Sequence, residues 1–195
     1  MVVVSAPSGT GKTTVCEKLL TEMPDMCRSI SLTTRRPREG ERNGQHYYFV
    51  TPGRFQAERE RGRFVESAEV HGYLYGTPRD FLEKQIEAGK DTMLVIDVQG
   101  ARAIRQCFPE AVLIFLLPPS LTELKRRLKA RSCDSKEDIG VRLKSAAAEF
   151  SCYRAYDYLV VNENVAEAVD SLKAIVAAER CRSSRLRPEP PRSIK

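Results

Sequence analysis

The sequence predicts an α/β fold, a parallel sheet flanked by helices with a small mixed lobe set into it. Three observations carry that prediction. Short aliphatic runs alternate with helical patterns along nearly the whole chain. The first run, Val2-Val3-Val4-Ser5, opens directly into a small-residue loop and a helix, Ala6-Pro7-Ser8-Gly9-Thr10-Gly11-Lys12-Thr13-Thr14. Between residues 45 and 70 the pattern changes to short alternating strands around a charged helix, which marks an inserted lobe.

Taken in order, buried strands are expected at Val2–Ser5, 29–32, 93–96, Val112–Leu117 and Tyr158–Val161. Several are continuous apolar runs, as parallel strands covered on both faces require. The first helix begins near Thr13, with Val15, Leu19 and Met23 at roughly helical spacing. Lobe strands are expected at 46–50 and Phe64–Val70. Thr77 reads as a helix N-cap with Pro78 in the first turn, and Gly89 closes that helix. Ser120 and Glu123 have capping-box spacing for a helix through Lys129, and Ser135 would cap another running to about Phe150.

The segment from Ala6 to Thr14 has the form of a phosphate-binding P-loop. Gly9 and Gly11 let the backbone curl so that successive N–H groups converge on phosphate oxygens. The positive end of the new helix faces the same anion. Lys12 would reach the β- and γ-phosphates of a nucleoside triphosphate, and the Thr13 hydroxyl would hold a magnesium ion. Ala6 stands where the strict pattern has glycine, a change most of that turn tolerates.

At 195 residues the chain can bury a sizeable core. Its longest apolar run, 111–117, is too short to cross a bilayer, and the first strand starts too early for a signal peptide to precede it. Six cysteines show no Cys-x-x-Cys pair, which suits reduced thiols in a cytoplasmic protein, with Cys16 and Cys107 as small buried side chains. The net charge of +6 belongs mostly to one end: residues 180–195 hold six basic side chains and one acid. The other 179 residues carry 26 basic and 25 acidic groups, so the body offers no surplus for a nucleic-acid groove. Residues 180–186 would extend the last helix, and the proline-broken end beyond is expected to be disordered.

A P-loop names a nucleotide and leaves the second substrate to the rest of the chain. Ser31-Leu32-Thr33-Thr34-Arg35-Arg36-Pro37-Arg38 opens a loop rich in arginine, whose paired N–H groups suit a phosphate monoester. Tyr47, Glu66 and Tyr75-Gly76-Thr77 add phenol hydroxyls, a carboxylate and a short hydroxyl side chain to the same lobe.

With those residues in view the chain resembles the guanylate kinase family, from Val2 to about Arg185. The likeness is carried by the loop through Thr14, Thr33-Thr34-Arg35-x-Pro-Arg38-x-Gly-Glu41, Tyr75-Gly76-Thr77, Ile96-Asp97-x-Gln99-Gly100 and Tyr156-Asp157-Tyr158-x-Val-Val-Asn162. It implies a P-loop nucleoside-monophosphate-kinase-like sheet with a GMP-binding lobe and a helical lid. By number these are a core of 1–32, 78–124 and 152–187, a lobe of 33–77, a lid of 125–151 and a tail of 188–195. The implied reaction is Mg-dependent transfer from ATP to GMP, with dGMP a second candidate acceptor. No membrane, no specific nucleic acid, and a monomer or small homo-oligomer are expected.

Residue by residue, the resemblance puts Arg35, Arg38, Tyr47 and Tyr75 around the GMP phosphate, and Glu66, Ser31 and Thr77 against the guanine. Guanine's N1–H and 2-amino group can both donate to one carboxylate, whereas adenine would face it with a lone pair. Lys12, Arg127, Arg131 and Arg142 would neutralise the transferring phosphoryl group. Asn162 would touch the adenine edge. Asp97 would orient magnesium through water or contact the GMP side. Two departures stand out: Ala130-Arg131-Ser132 replaces the family's Gly-Arg-Gly, and Val95 replaces an acid two residues before Asp97. His46 and His71 read as structural. A non-catalytic module of the same fold, as in membrane-associated scaffolds, is one rival reading, disfavoured by the intact Gly9, Gly11, Lys12 and Thr13. A P-loop kinase for another phosphorylated small molecule is a second, disfavoured by Glu66 with Tyr75-Gly76-Thr77.

Overall fold

Alternate residues of the first strand point to opposite faces, and both faces are covered. In the computed structural model, which describes residues 1–130, 140 and 145–185, β1 (Val2–Ser5) is the middle of a five-stranded parallel sheet. Val2 and Val4 pack with Val15, Leu19, Val169 and Leu172 on one side. Val3 packs with Leu82, Leu94, Ile104 and Leu113 on the other. That two-sided burial is why the strands read as unbroken apolar runs.

The helices α1 (Lys12–Glu22), α2 (Pro52–Glu60), α3 (Arg79–Glu87), α4 (Val98–Cys107), α5 (Leu121–Ala130) and α6 (Val165–Arg180) are distributed around two sheets. The parallel sheet has the order β2 (Cys27–Arg28), β7 (Thr92–Val95), β1, β8 (Val112–Leu117), β9 (Tyr158–Val161). The second sheet is mixed, in the order β4 (Tyr48–Phe49), β3 (Leu32–Thr33), β6 (Tyr73–Pro78), β5 (Phe64–Val70). Strands β5 and β6 form a hairpin whose turn holds His71 at φ 52° and Gly72 at φ 78°, the left-handed pair that favours tight hairpins.

Several expectations are corrected. The strand expected at 29–32 is the passage between two strands. Cys27–Arg28 pair with β7, the Ser29 N–H still donates to the Met93 carbonyl, and Leu32–Thr33 join the second sheet. Thr77 is no helix cap: it lies inside β6, and Pro78 takes the cap position of α3. The strand expected at 46–50 shrinks to Tyr48–Phe49. Cys107 is exposed at the end of α4, although Cys16 is buried and all five described cysteines are free. Helix α6 stops at Arg180, so the described residues 181–185 do not extend it as a helix. The expected Ser135 cap and the tail beyond 187 lie outside the described residues.

Other expectations hold. Gly89, at φ 66°, closes α3 with its N–H on the Ile86 carbonyl. The Ser120 hydroxyl accepts from the Glu123 N–H at 3.0 Å at the start of α5. Among the described residues no helix is long and apolar enough to cross a membrane.

Candidate active site

The C-terminal ends of β1 and β7 are neighbours, and the chain leaves both into the same crevice. This is where open parallel sheets place ligands. After β1 the loop curls through Gly9 at φ 90° and Gly11 at φ 93° into α1, where Gly11 is the N-cap. Both positions are also crowded. A Cβ at Gly9 would lie 2.7 Å from a Leu128 methyl, and one at Gly11 would lie 2.7 Å from Asn162 Nδ2. Only glycine satisfies both the left-handed backbone and the close approach.

Lys12 is half-buried at the start of α1 and donates to the Ile96 carbonyl at 2.8 Å. Burial holds its ammonium pKa below the usual lysine range, with Cys16, Asp97 and Glu149 pulling the other way. Asp97 N-caps α4, its Oδ1 accepting from the Gly100 N–H at 2.9 Å and its Oδ2 from Gln99 at 3.3 Å. The Ser5 hydroxyl lies 3.3 Å from the Asp97 carbonyl and ties the two strand ends together.

The lobe supplies the opposite wall. A bulge in β5 between Phe64 and Glu66 sends Val65 into the core and turns Glu66 toward the cleft. Glu66 is 7% exposed, and its Oε1 accepts from the Thr77 hydroxyl at 2.5 Å across the hairpin. Burial pushes its carboxyl up to about 7, partly offset by that hydrogen bond. Arg35 is buried behind the wall, where its guanidinium donates to Glu41 at 2.8 Å and to the Tyr75 hydroxyl at 3.2 Å. The same guanidinium lies over the ring of Tyr47 at 5.6 Å. It therefore sets the posture of both tyrosines.

These elements line one open cleft between the loop and the lobe. Ala6, Pro7, Ser8, Gly9, Thr10, Gly11, Lys12 and Thr13 line it from one side, and Ser31, Arg38, Tyr47, Glu66, Tyr75 and Asp97 complete it. Thr14, Arg35, Thr77, Arg127 and Asn162 stand off its surface. Arg127 instead donates to the carbonyls of Thr10 and Asn162, both at 3.1 Å, and to Glu123 at 2.8 Å. Asn162, 2% exposed, gives its Nδ2–H to the same Thr10 carbonyl at 2.7 Å. Both side chains thus fasten the P-loop from behind. Arg131 and Arg142 lie outside the described residues.

The cleft also contains residues the sequence did not mark as site residues: Ala68, Val70, His71, Val95, Ile96 and Glu149. His71 reaches it from the hairpin turn, and its position after a two-period strand was the available signal. Glu149 comes from the helical residues 145–150. Its carboxyl is pushed up to about 7 by burial, against the pull of Lys12 and with the repulsion of Asp97. Nothing local in the sequence marks it.

A magnesium ion suits the donors present. Among the described residues no three metal-binding side chains cluster. The Thr13 hydroxyl and Asp97 carboxylate on one cleft wall are hard oxygen donors of the kind that hold magnesium through water and a ligand's own phosphates.

Comparison with known proteins agrees with this geometry. A family model described as Guanylate kinase matches residues 1–179. A guanylate kinase of Myxococcus xanthus is 48% identical over 187 residues, covering 95% of this chain and 90% of that relative. One from Caldanaerobacter subterraneus is 44% identical over 185 residues, covering 95% and 90%. A crystal structure of guanylate kinase from Anaplasma phagocytophilum superposes with a TM-score of 0.81 at 39% identity, over 95% of this chain and 88% of that one. With a P-loop facing a buried carboxylate across one cleft, and a family model and relatives matching over most of the chain, this chain belongs to the guanylate kinase family.

Proposed function

We propose that the cleft moves the γ-phosphoryl group of magnesium-bound ATP onto the phosphate of GMP, releasing ADP and GDP. The observation that carries this reading is the union, in one cleft, of the Ala6–Thr13 loop with Ser31, Arg38, Tyr47, Glu66 and Tyr75. An oxygen of the GMP phosphate forms the new bond to phosphorus as the bond to the β-phosphate oxygen breaks. That attacking oxygen is already anionic near neutral pH, so positioning and charge neutralisation suffice and no general base is needed.

In this reading the P-loop N–H groups and Lys12 hold the donor phosphates, and Thr13 and Asp97 hold the metal and its water. When bound, magnesium neutralises charge on the phosphates. Arg38, Tyr47 and Tyr75 hold the acceptor phosphate, with Arg35 supporting the two tyrosines. Glu66 accepts from guanine N1–H and the 2-amino group, and Ser31 and Thr77 complete the base pocket. Asn162 and Arg127 shape the donor loop, while Arg131 and Arg142 bring positive charge from a lid of 125–151. Free thiols at all five described cysteines support a cytoplasmic setting.

A coupled assay of ADP formation with GMP, AMP, UMP and CMP tests this directly. GMP should be preferred by about 10⁴-fold, the discrimination expected of a site built on paired hydrogen bonds. Comparable turnover with AMP would overturn the assignment of Glu66 to the base.

A further inference from the structure

Three carboxylates line the cleft, and only two have an evident task. Glu66 is bonded to Thr77 in the lobe, and Asp97 caps α4. Glu149 has neither role. It approaches from the helical residues 145–150, shares the cleft wall with the whole P-loop, and has no hydrogen-bond partner among the described residues. Among the described residues, the charges that act on it are the Lys12 ammonium and the Asp97 carboxylate. An acid in that position is unfavourable for a site whose ligands are polyanions. The triphosphate of free ATP carries close to four negative charges near pH 8, and bound magnesium removes two of them. The metal also presents coordinated water, whose O–H groups a carboxylate can accept from.

We propose that Glu149 is a specificity-determining residue that makes the donor site favour the magnesium complex of ATP over the bare triphosphate. The inference rests on the nucleotide reading of the cleft. Repulsion between Glu149 and uncomplexed phosphates falls as magnesium neutralises them, while the Lys12 attraction remains. At separations of several ångströms in a partly buried cleft, one carboxylate charge changes the affinity of a multiply charged ligand by about tenfold. Lys12 stays balanced in the empty cleft by Asp97 and by the Ile96 carbonyl, so the site does not need Glu149 to remain folded.

The test is a pair of calorimetric titrations of the full chain at pH 8, one with ATP in EDTA and one with ATP in excess magnesium. Glu149→Gln should tighten binding of metal-free ATP by about tenfold and change magnesium-ATP binding by less than about twofold. Glu149→Asp, which keeps the charge, should retain most of the wild-type preference, and matched melting curves check that both variants fold. Equal shifts in the two buffers, or no shift in either, would overturn the proposal. Wild-type protein that bound no ATP in either buffer would overturn the nucleotide reading itself, and the proposal with it.

Discussion

Gly100 lies directly against Glu66: a Cβ at residue 100 would stand 2.9 Å from Glu66 Oε2 and 3.2 Å from its carboxyl carbon. The first turn of α4 thereby sets how far the Glu66 carboxylate can retreat. Gly100 also donates its N–H to Asp97, so one backbone position serves two of the three carboxylates of the cleft.

Gly100→Ala should therefore damage acceptor recognition selectively. The added methyl pushes a buried, hydrogen-bonded carboxylate out of line, and small misplacements of positioning groups cost about tenfold or more in rate. Steady-state kinetics should show kcat/KM for GMP falling by about that factor with KM for ATP little changed. A fall confined to ATP would place Glu66 outside the acceptor site.

Lys12→Ala should leave the far-ultraviolet circular dichroism spectrum unchanged and reduce turnover by about 10²-fold or more, the usual loss for a charge-stabilising donor. The fold is spared because, among the described residues, the lysine makes a single hydrogen bond, to the Ile96 carbonyl. Near-wild-type turnover would remove this lysine from the transfer step.

Glu66 gives the empty enzyme a signed pH dependence. Its carboxyl titrates at about 7 when folded, against about 4.3 in an unfolded chain. The unfolded state therefore loses this proton first, and the stability tied to Glu66 is present at low pH and lost as pH rises through about 7. Wild type should lose thermal stability relative to Glu66→Gln between pH 5 and pH 8. Guanine binding has the opposite requirement, since the base donates to the ionised carboxylate. kcat/KM for GMP should drop below pH 7 in wild type and start from a much lower, flatter level in the variant.

Arg127→Met should act through the donor loop. It strips one of two hydrogen bonds from the Thr10 carbonyl and the guanidinium contact from the Asn162 carbonyl. A cost of about 1–3 kcal/mol is expected from groups left under-satisfied, visible as a lower melting temperature with a raised KM for ATP. Unchanged stability with a collapsed kcat would instead assign the guanidinium to the transferring phosphate.

Two truncations should separate the described chain end from the tail. Ending the chain after Arg187 should leave GMP kinase activity within about twofold and the melting temperature nearly constant. Ending it after Arg182 removes Arg185, which pairs with the 4%-exposed Glu179 side chain at 3.0 Å and donates to the Glu110 carbonyl. Loss of the cation paired with a buried carboxylate should cost about 3 kcal/mol, measured by chemical denaturation. Any retention on a nucleic-acid column at low salt should weaken more with the cut after Arg182, which removes four basic residues and one acid, than with the cut after Arg187, which removes two and one.

The P-loop was legible because its chemistry is local: the left-handed turns at Gly9 and Gly11 and the neighbouring Lys12 must follow one another in the chain. Glu66, Tyr75 and Arg38 were legible through the resemblance, since nothing in their spacing alone brings them together. Residues 29–32 misled because the alternating Ser-Ile-Ser-Leu pattern does not reveal which of two sheets it joins, and here the chain changes sheets within it. Thr77-Pro78 misled because the same dipeptide serves a helix cap and a strand end, and pairing opposite Glu66 decided between them. Cys107 misled because it follows the apolar stripe of α4 to a helix end that the core no longer covers. Glu149 left no trace, since its place depends on how the chain returns over the sheet.

Leu128 lodged against Gly9, and Arg127 fastened to Thr10, also restrict how this molecule can change over generations. A larger residue at 9 collides with Leu128, and a smaller residue at 128 leaves a void beside Gly9. Neither step is neutral alone, so variation at the two sites has to be compensated jointly or not occur. The loop that grips the phosphates is thereby inherited together with the helix packed behind it, as one unit of descent.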